Sequence, residues 1–134
     1  VFISSKAKCF DCHFQEDFTD DDFKNIGLFD GKTLNDSGRF LISRQQADIG
    51  KFKTPGLRNV AVTAPYMHNG IFASLEEVVD YYDNPKKFVA DPINIDPALQ
   101  APLQLTAKEK KDLVSFLKTL TDRKYLGRGI MGKE

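Results

Sequence analysis

The chain has 134 residues, 41% of them hydrophobic, which suits one domain of ordinary size and leaves no second core for another. Its 19 lysines and arginines balance 19 aspartates and glutamates, so the overall charge selects neither nucleic acid nor an acidic membrane surface as a partner. No apolar run is long enough for a transmembrane segment, and Val1-Phe2-Ile3-Ser4 is too short for the apolar part of a signal peptide, so a mature form or a fragment is expected.

The first chemistry in chain order lies at Lys8-Cys9-Phe10-Asp11-Cys12-His13. Two cysteines at this spacing on the first turns of a helix can each form a thioether to a haem vinyl group, and the histidine that follows can ligate the iron. A thioredoxin-type redox pair would need a βαβ context that the chain lacks. A zinc site would have to recruit His13 and His68, the only histidines, and adjacent Cys12 and His13 cannot easily reach one tetrahedral ion. We therefore read Cys9 and Cys12 as the anchors of one haem c and His13 as its proximal ligand. Both cysteines are then used, and no disulfide framework remains. Haem is attached to such motifs outside the cytoplasm, so a bacterial periplasmic location is expected.

The first helix should run through this motif and stop soon after it. From Phe14 to Asp22 the chain is acidic and polar, a solvated surface by composition. Residues 29–56 carry Asp30-Gly31, Asn35-Asp36, Ser37-Gly38, Ile49-Gly50 and Pro55-Gly56, a density of turn signals that excludes long regular elements. Such a loop can be held by the macrocycle, whose apolar area replaces side chains that a small core lacks.

Two later helices are clearer. Ser74 and Glu77 have capping-box spacing, and Leu75, Val78, Val79 and Tyr82 form an apolar face that should bury Tyr82 and leave Tyr81 outward. Asn84-Pro85 should end this helix. Thr106 and Glu109 repeat the box before Leu113, Phe116, Leu117 and Leu120, with Lys108, Lys110, Lys111 and Lys118 alongside. The layout is that of an all-α c-type cytochrome domain over residues 1–126, followed by a glycine-rich, basic C-terminal tail over residues 127–134.

The segments Lys51-Phe52-Lys53-Thr54-Pro55-Gly56-Leu57-Arg58-Asn59-Val60, Thr63-Ala64-Pro65-Tyr66-Met67-His68-Asn69-Gly70 and Ser74-Leu75-Glu76-Glu77 carry a resemblance. With the haem motif before them and the closing helix Leu105 to Asp122 after them, the chain resembles the C-terminal haem domain of bacterial di-haem cytochrome c peroxidases and MauG proteins. The resemblance implies that this haem accepts electrons from a small cytochrome or cupredoxin and passes them to a second haem domain, where peroxide is reduced. The chain has no tryptophan, a residue type such proteins often place between their haems. The resemblance further implies that Arg58 lies near a haem propionate and that Tyr66, Met67 and His68 belong to the cofactor pocket, with His68 off the iron. It also implies calcium at the domain boundary, held by the backbone carbonyls of Thr63 and Pro65 and by a residue of the other domain; carbonyl oxygens suit that ion.

The sixth position on iron decides the chemistry. Met67 is the intuitive ligand, since a thioether is typical of electron-transfer cytochromes. The resemblance points to Tyr82, where peroxidases of the family have a methionine and MauG a tyrosine. A third alternative is an open or water-bound iron. With both axial positions filled, the domain is an electron relay. With the sixth open or labile it is a peroxidase, using His68 or Glu77 as an acid–base group. A weaker third reading is a docking subunit in which the haem is chiefly structural.

Overall fold

In the computed structural model, which describes residues 1–126, regular structure is short everywhere except where the sequence carries complete capping boxes. The chain runs β1 (Phe23–Lys24), α1 (Phe40–Ser43), β2 (Phe52–Lys53), α2 (Leu75–Asp83), α3 (Ala107–Thr119) and α4 (Arg123–Leu126), with short 3-10 turns between them. The expected tail from Gly127 to Glu134 lies outside the described residues.

At the start of α2 the Ser74 hydroxyl accepts the Glu77 N–H at 3.2 Å, while the Glu77 carboxylate accepts the Ser74 N–H at 2.9 Å. Thr106 and Glu109 do the same for α3, at 3.2 and 2.7 Å. These reciprocal bonds satisfy N–H groups that a helix leaves without partners. Asn84 and Pro85 stop α2 as expected. The two helices pack through Leu75, Val79, Leu113, Val114 and Leu117, and Leu28, Phe72, Val89, Leu103 and Leu105 complete the core around them. Each such side chain contributes about 1.5–3 kcal/mol on burial, against at most about 1 kcal/mol for an exposed ion pair. Burial therefore holds the helices together, and the bridges from Lys110 to Asp80 (2.9 Å) and Asp83 (2.8 Å) fix their register.

Four expectations need correction. The haem motif occupies only a 3-10 turn, Cys9–Asp11, because Lys8 before it is left-handed (φ 57°) and no side chain caps the turn; a segment this short does not sustain an α-helix by itself. The fold is not purely α: β1 and β2 pair antiparallel, Phe23 opposite Lys53 and Lys24 opposite Phe52. On α3 it is Val114 that is buried with Leu113 and Leu117, whereas Phe116 and Leu120 lie at the core's margin. On α2 the helix is covered on two sides rather than one. Tyr81, expected outward, is fully buried between Phe72 and Phe88, its hydroxyl donating to the Ile26 carbonyl at 2.7 Å, and Tyr82 is half-buried.

The loops are tied by side chains that reach the backbone over long sequence distances. Asn25, 1% exposed, donates to the carbonyls of Ile49 (2.8 Å) and Ile93 (2.9 Å) and accepts from Gly27 N–H (2.8 Å). Gly50 follows from this knot: its φ is +72°, and a Cβ there would lie 2.5 Å from the Asn25 amide nitrogen. Asn59 pins the far end, donating its N–H to the Leu120 carbonyl (2.8 Å) and exchanging side-chain bonds with Asp122.

Candidate functional site

The site begins at the turn that holds Cys9 and Cys12, both half-buried and unbridged. Burial pushes each thiol up to about 11, so both stay protonated at neutral pH. A thioredoxin-type pair needs the opposite shift, toward thiolate. Zinc is no better served: among the described residues no three His, Cys, Asp or Glu side chains gather as a metal set. Neutral, half-buried thiols with a histidine beside them fit the anchoring of a haem.

His13 is oriented by its neighbour in the loop. Its Nδ1 lies 2.5 Å from the Phe18 carbonyl, which can only accept, so Nδ1 carries the proton and Nε2 keeps its lone pair. Burial lowers its affinity for a second proton, so the ring stays neutral. A neutral imidazole with a fixed tautomer is what iron ligation requires. Nothing local in the sequence marks Phe18, a left-handed aromatic residue (φ 57°), as the partner; sequence reasoning missed it. The acidic run is largely solvated, as its composition implies: Phe14 to Asp17, Asp21 and Asp22 are exposed. Thr19 is buried and donates to the Thr54 carbonyl at 2.6 Å, the Asp20 side chain is 8% exposed, and Asp17, Asp21 and Asp22 pair with Arg58, Lys53 and Lys24. The segment folds back on residues 53–58, where the exposed carboxylates of Asp17 and Asp21 meet Arg58 and Lys53, and only Thr19 and the Asp20 side chain turn inward.

Tyr82 comes to the motif from α2. Its hydroxyl is held well above the ordinary tyrosine value, first by desolvation and then by the potential of Cys12 and Cys9. The phenol, seventy positions after Cys12, thus stays neutral at ordinary pH, within electrostatic reach of both cysteines. Met67 packs against the apolar core from a left-handed position (φ 70°). His68 faces another neighbourhood, stacked on Phe52 with ring centroids 3.7 Å apart. Tyr66 is buried and donates to the Val60 carbonyl at 3.0 Å. Thr63 and Pro65 lie on the exposed turn between them. Arg58 donates to the Asp17 carboxylate (2.9 Å) and the Glu16 carbonyl (2.6 Å).

No family model matches the chain. It is 44% identical over 86 residues to the cytochrome-c peroxidase IdrP1 of Pseudomonas sp. strain SCT, covering 64% of this chain and 22% of that protein. It is 38% identical over 125 residues to the methylamine utilization protein MauG of Methylorubrum extorquens, covering 90% of this chain and 33% of that one. The crystal structure of a MauG-like protein associated with microbial copper homeostasis superposes with a TM-score of 0.83 and 34% identity, over 98% of this chain and 44% of its own. The chain therefore spans less than half the length of each of these proteins.

Proposed function

Since the chain belongs to the cytochrome-c peroxidase and MauG family, we propose that it is that family's C-terminal haem c domain, a periplasmic module that relays single electrons. The observation that carries the reading is the half-buried Cys9–Cys12 turn with His13 beside it, its Nδ1 bonded to the Phe18 carbonyl and its Nε2 left to ligate. Haem c, when bound, supplies an iron that gains and loses one electron. Cys9 and Cys12 would anchor it, and His13 would ligate through Nε2. Tyr82 is the favoured second ligand and Met67 its alternative, with Tyr66 and His68 as surrounding residues. A phenolate would stabilise ferric iron and lower the potential, whereas methionine would raise it. Arg58 would face a propionate, and the carbonyls of Thr63 and Pro65 would offer calcium two oxygens. The partners that suit this role are a small cytochrome or cupredoxin donor and a second haem domain. No helix among the described residues is long and apolar enough to cross a membrane.

A peroxidase acting at this haem would need a free acid–base group over the iron. Glu77 is committed to the cap of α2, accepting the N–H groups of Ala73 (2.7 Å) and Ser74 (2.9 Å), and His68 is stacked on Phe52. Both engagements favour relay. The test is a pyridine haemochrome assay followed by the ferric optical spectrum into the near infrared, for the wild type and Tyr82→Phe. Covalent haem, no sulfur-to-iron charge-transfer band and a change to an open-site spectrum in the variant are expected. A sulfur band untouched by the substitution would assign the position to Met67, and absence of covalent haem would sink the reading.

A further inference from the structure

The grip of one arginine on the turn behind His13 points to a role that the propionate reading does not contain. We propose that Arg58 is a positioning residue for the His13 imidazole, acting through residues 16–18. The inference rests on His13 being a haem ligand. The Arg58 Nε donates to the Asp17 carboxylate at 2.9 Å, its Nη2 donates to the Glu16 carbonyl at 2.6 Å, and its Cζ stands 5.7 Å from the centroid of the Phe18 ring. One guanidinium thus bonds to two consecutive residues and stands over the ring of the third.

The third of them is the one that needs holding. Phe18 sits at φ 57°, a left-handed conformation that an aromatic residue keeps only when its surroundings impose it. That conformation presents the Phe18 carbonyl to His13 Nδ1. The backbone beside Arg58 closes on the same turn: Leu57 N–H donates to the Asp17 carbonyl at 3.1 Å, and a Cβ on Gly56 would stand 2.9 Å from that oxygen. Gly56 is thus needed for close approach, and Arg58 for direction.

The exposure of the pair says what kind of role this is. Arg58 and Asp17 have side chains 53% and 75% exposed, so their attraction adds little to global stability. What a planar fork supplies is orientation, because its donors leave at fixed angles, which a lysine ammonium cannot reproduce. The hydrogen bond on Nδ1 in turn raises the basicity of Nε2, the atom that faces the metal. Loosening the turn should therefore weaken electron donation to iron while leaving the fold intact.

The experiment uses the haem-loaded chain, with attachment established by its haemochrome band, and compares the wild type with Arg58→Ala, Arg58→Lys and Asp17→Asn. Proton exchange at His13 Nδ1 by NMR, the midpoint potential and the urea midpoint are read together. Both arginine variants are expected to speed the exchange by about tenfold, the factor that one ordinary hydrogen bond corresponds to, and to raise the potential with the urea midpoint almost unmoved. Asp17→Asn should move both readouts the same way by less. Since Asp17 is highly exposed, this variant keeps the test sound even if an arginine variant folds poorly. Unchanged exchange in the arginine variants would overturn the proposal. So would a shifted potential with unchanged exchange, which is the signature of an arginine acting only on propionate charge. Wild-type protein without covalent haem would overturn the haem reading itself and this inference with it.

Discussion

Helices α2 and α3 start at capping boxes and bury apolar residues on each other, whereas residues 8–73 are built from 3-10 turns, the four-residue α1, two-residue strands and left-handed positions at Lys8, Phe18, Asp21, Arg44, Asn59 and Met67. Every residue assigned to the haem except Tyr82 lies in the second region. The helical pair is stabilised by bonds between near neighbours in sequence and by area removed from water. The loops depend on Asn25, Thr19, Asn59 and Tyr81, whose bonds span 24 to 68 positions. A ligand set placed by such ties can have unusual backbone angles and aimed carbonyls, which a regular helix does not offer.

If the loops are held this way, Asn25→Ala should be the most damaging of the substitutions considered for either region. It removes two donated bonds and one accepted bond at a side chain 1% exposed, a loss of about 3 kcal/mol, read by urea denaturation. A cost below about 1 kcal/mol, the worth of one ordinary hydrogen bond, would break the comparison. The helical region should be more forgiving: Ser74→Ala and Thr106→Ala are each expected to cost about 1 kcal/mol by the same measurement. A cap worth as much as Asn25 would mean that α2 and α3 are not held chiefly by burial.

The smallest effect concerns a surface contact between the N-terminal segment and α3, Lys6 to Glu109 at 2.6 Å. The Lys6 ammonium, and then the Thr106 N–H, hold the Glu109 carboxyl down to about 2 from its ordinary 4.5. Because the folded value lies below the unfolded one, the stabilisation is present above pH 4.5 and is lost as pH falls from there through 2. Glu109→Gln keeps a capping-box side chain without the charge. The urea midpoint of this variant should therefore vary less with pH between 4.5 and 2 than that of the wild type; parallel acid limbs would show that the charge is not felt.

Legibility followed the same division. The capping boxes, the stop at Asn84-Pro85, the absence of long elements over residues 29–56 and the Cys9-Cys12-His13 motif were all readable, because each is a local pattern with a local cause. The pairing of β1 with β2 was not, since two-residue strands leave no period to detect. Tyr81 was misplaced because a single apolar stripe assumes one covered face, and α2 is covered on two. The solvation of Asp17, Asp21 and Asp22 was legible in their composition, but the burial of Thr19 and its bond to the Thr54 carbonyl was not, since that contact spans 35 positions.

Residue type and spacing alone determined the Cys9-Cys12-His13 motif from which a haem site is proposed, and two capped amphipathic helices to build a core. Those are properties of a few neighbouring residues, and short-range geometry enforces them wherever they occur. Only the tertiary structure decided which nitrogen of His13 meets the Phe18 carbonyl, that the Tyr81 hydroxyl reaches Ile26, and that Arg58 bonds to Asp17 and Glu16. Each depends on a contact across many residues, and a hydrogen bond of that span exists only once the buried core has brought its two ends together.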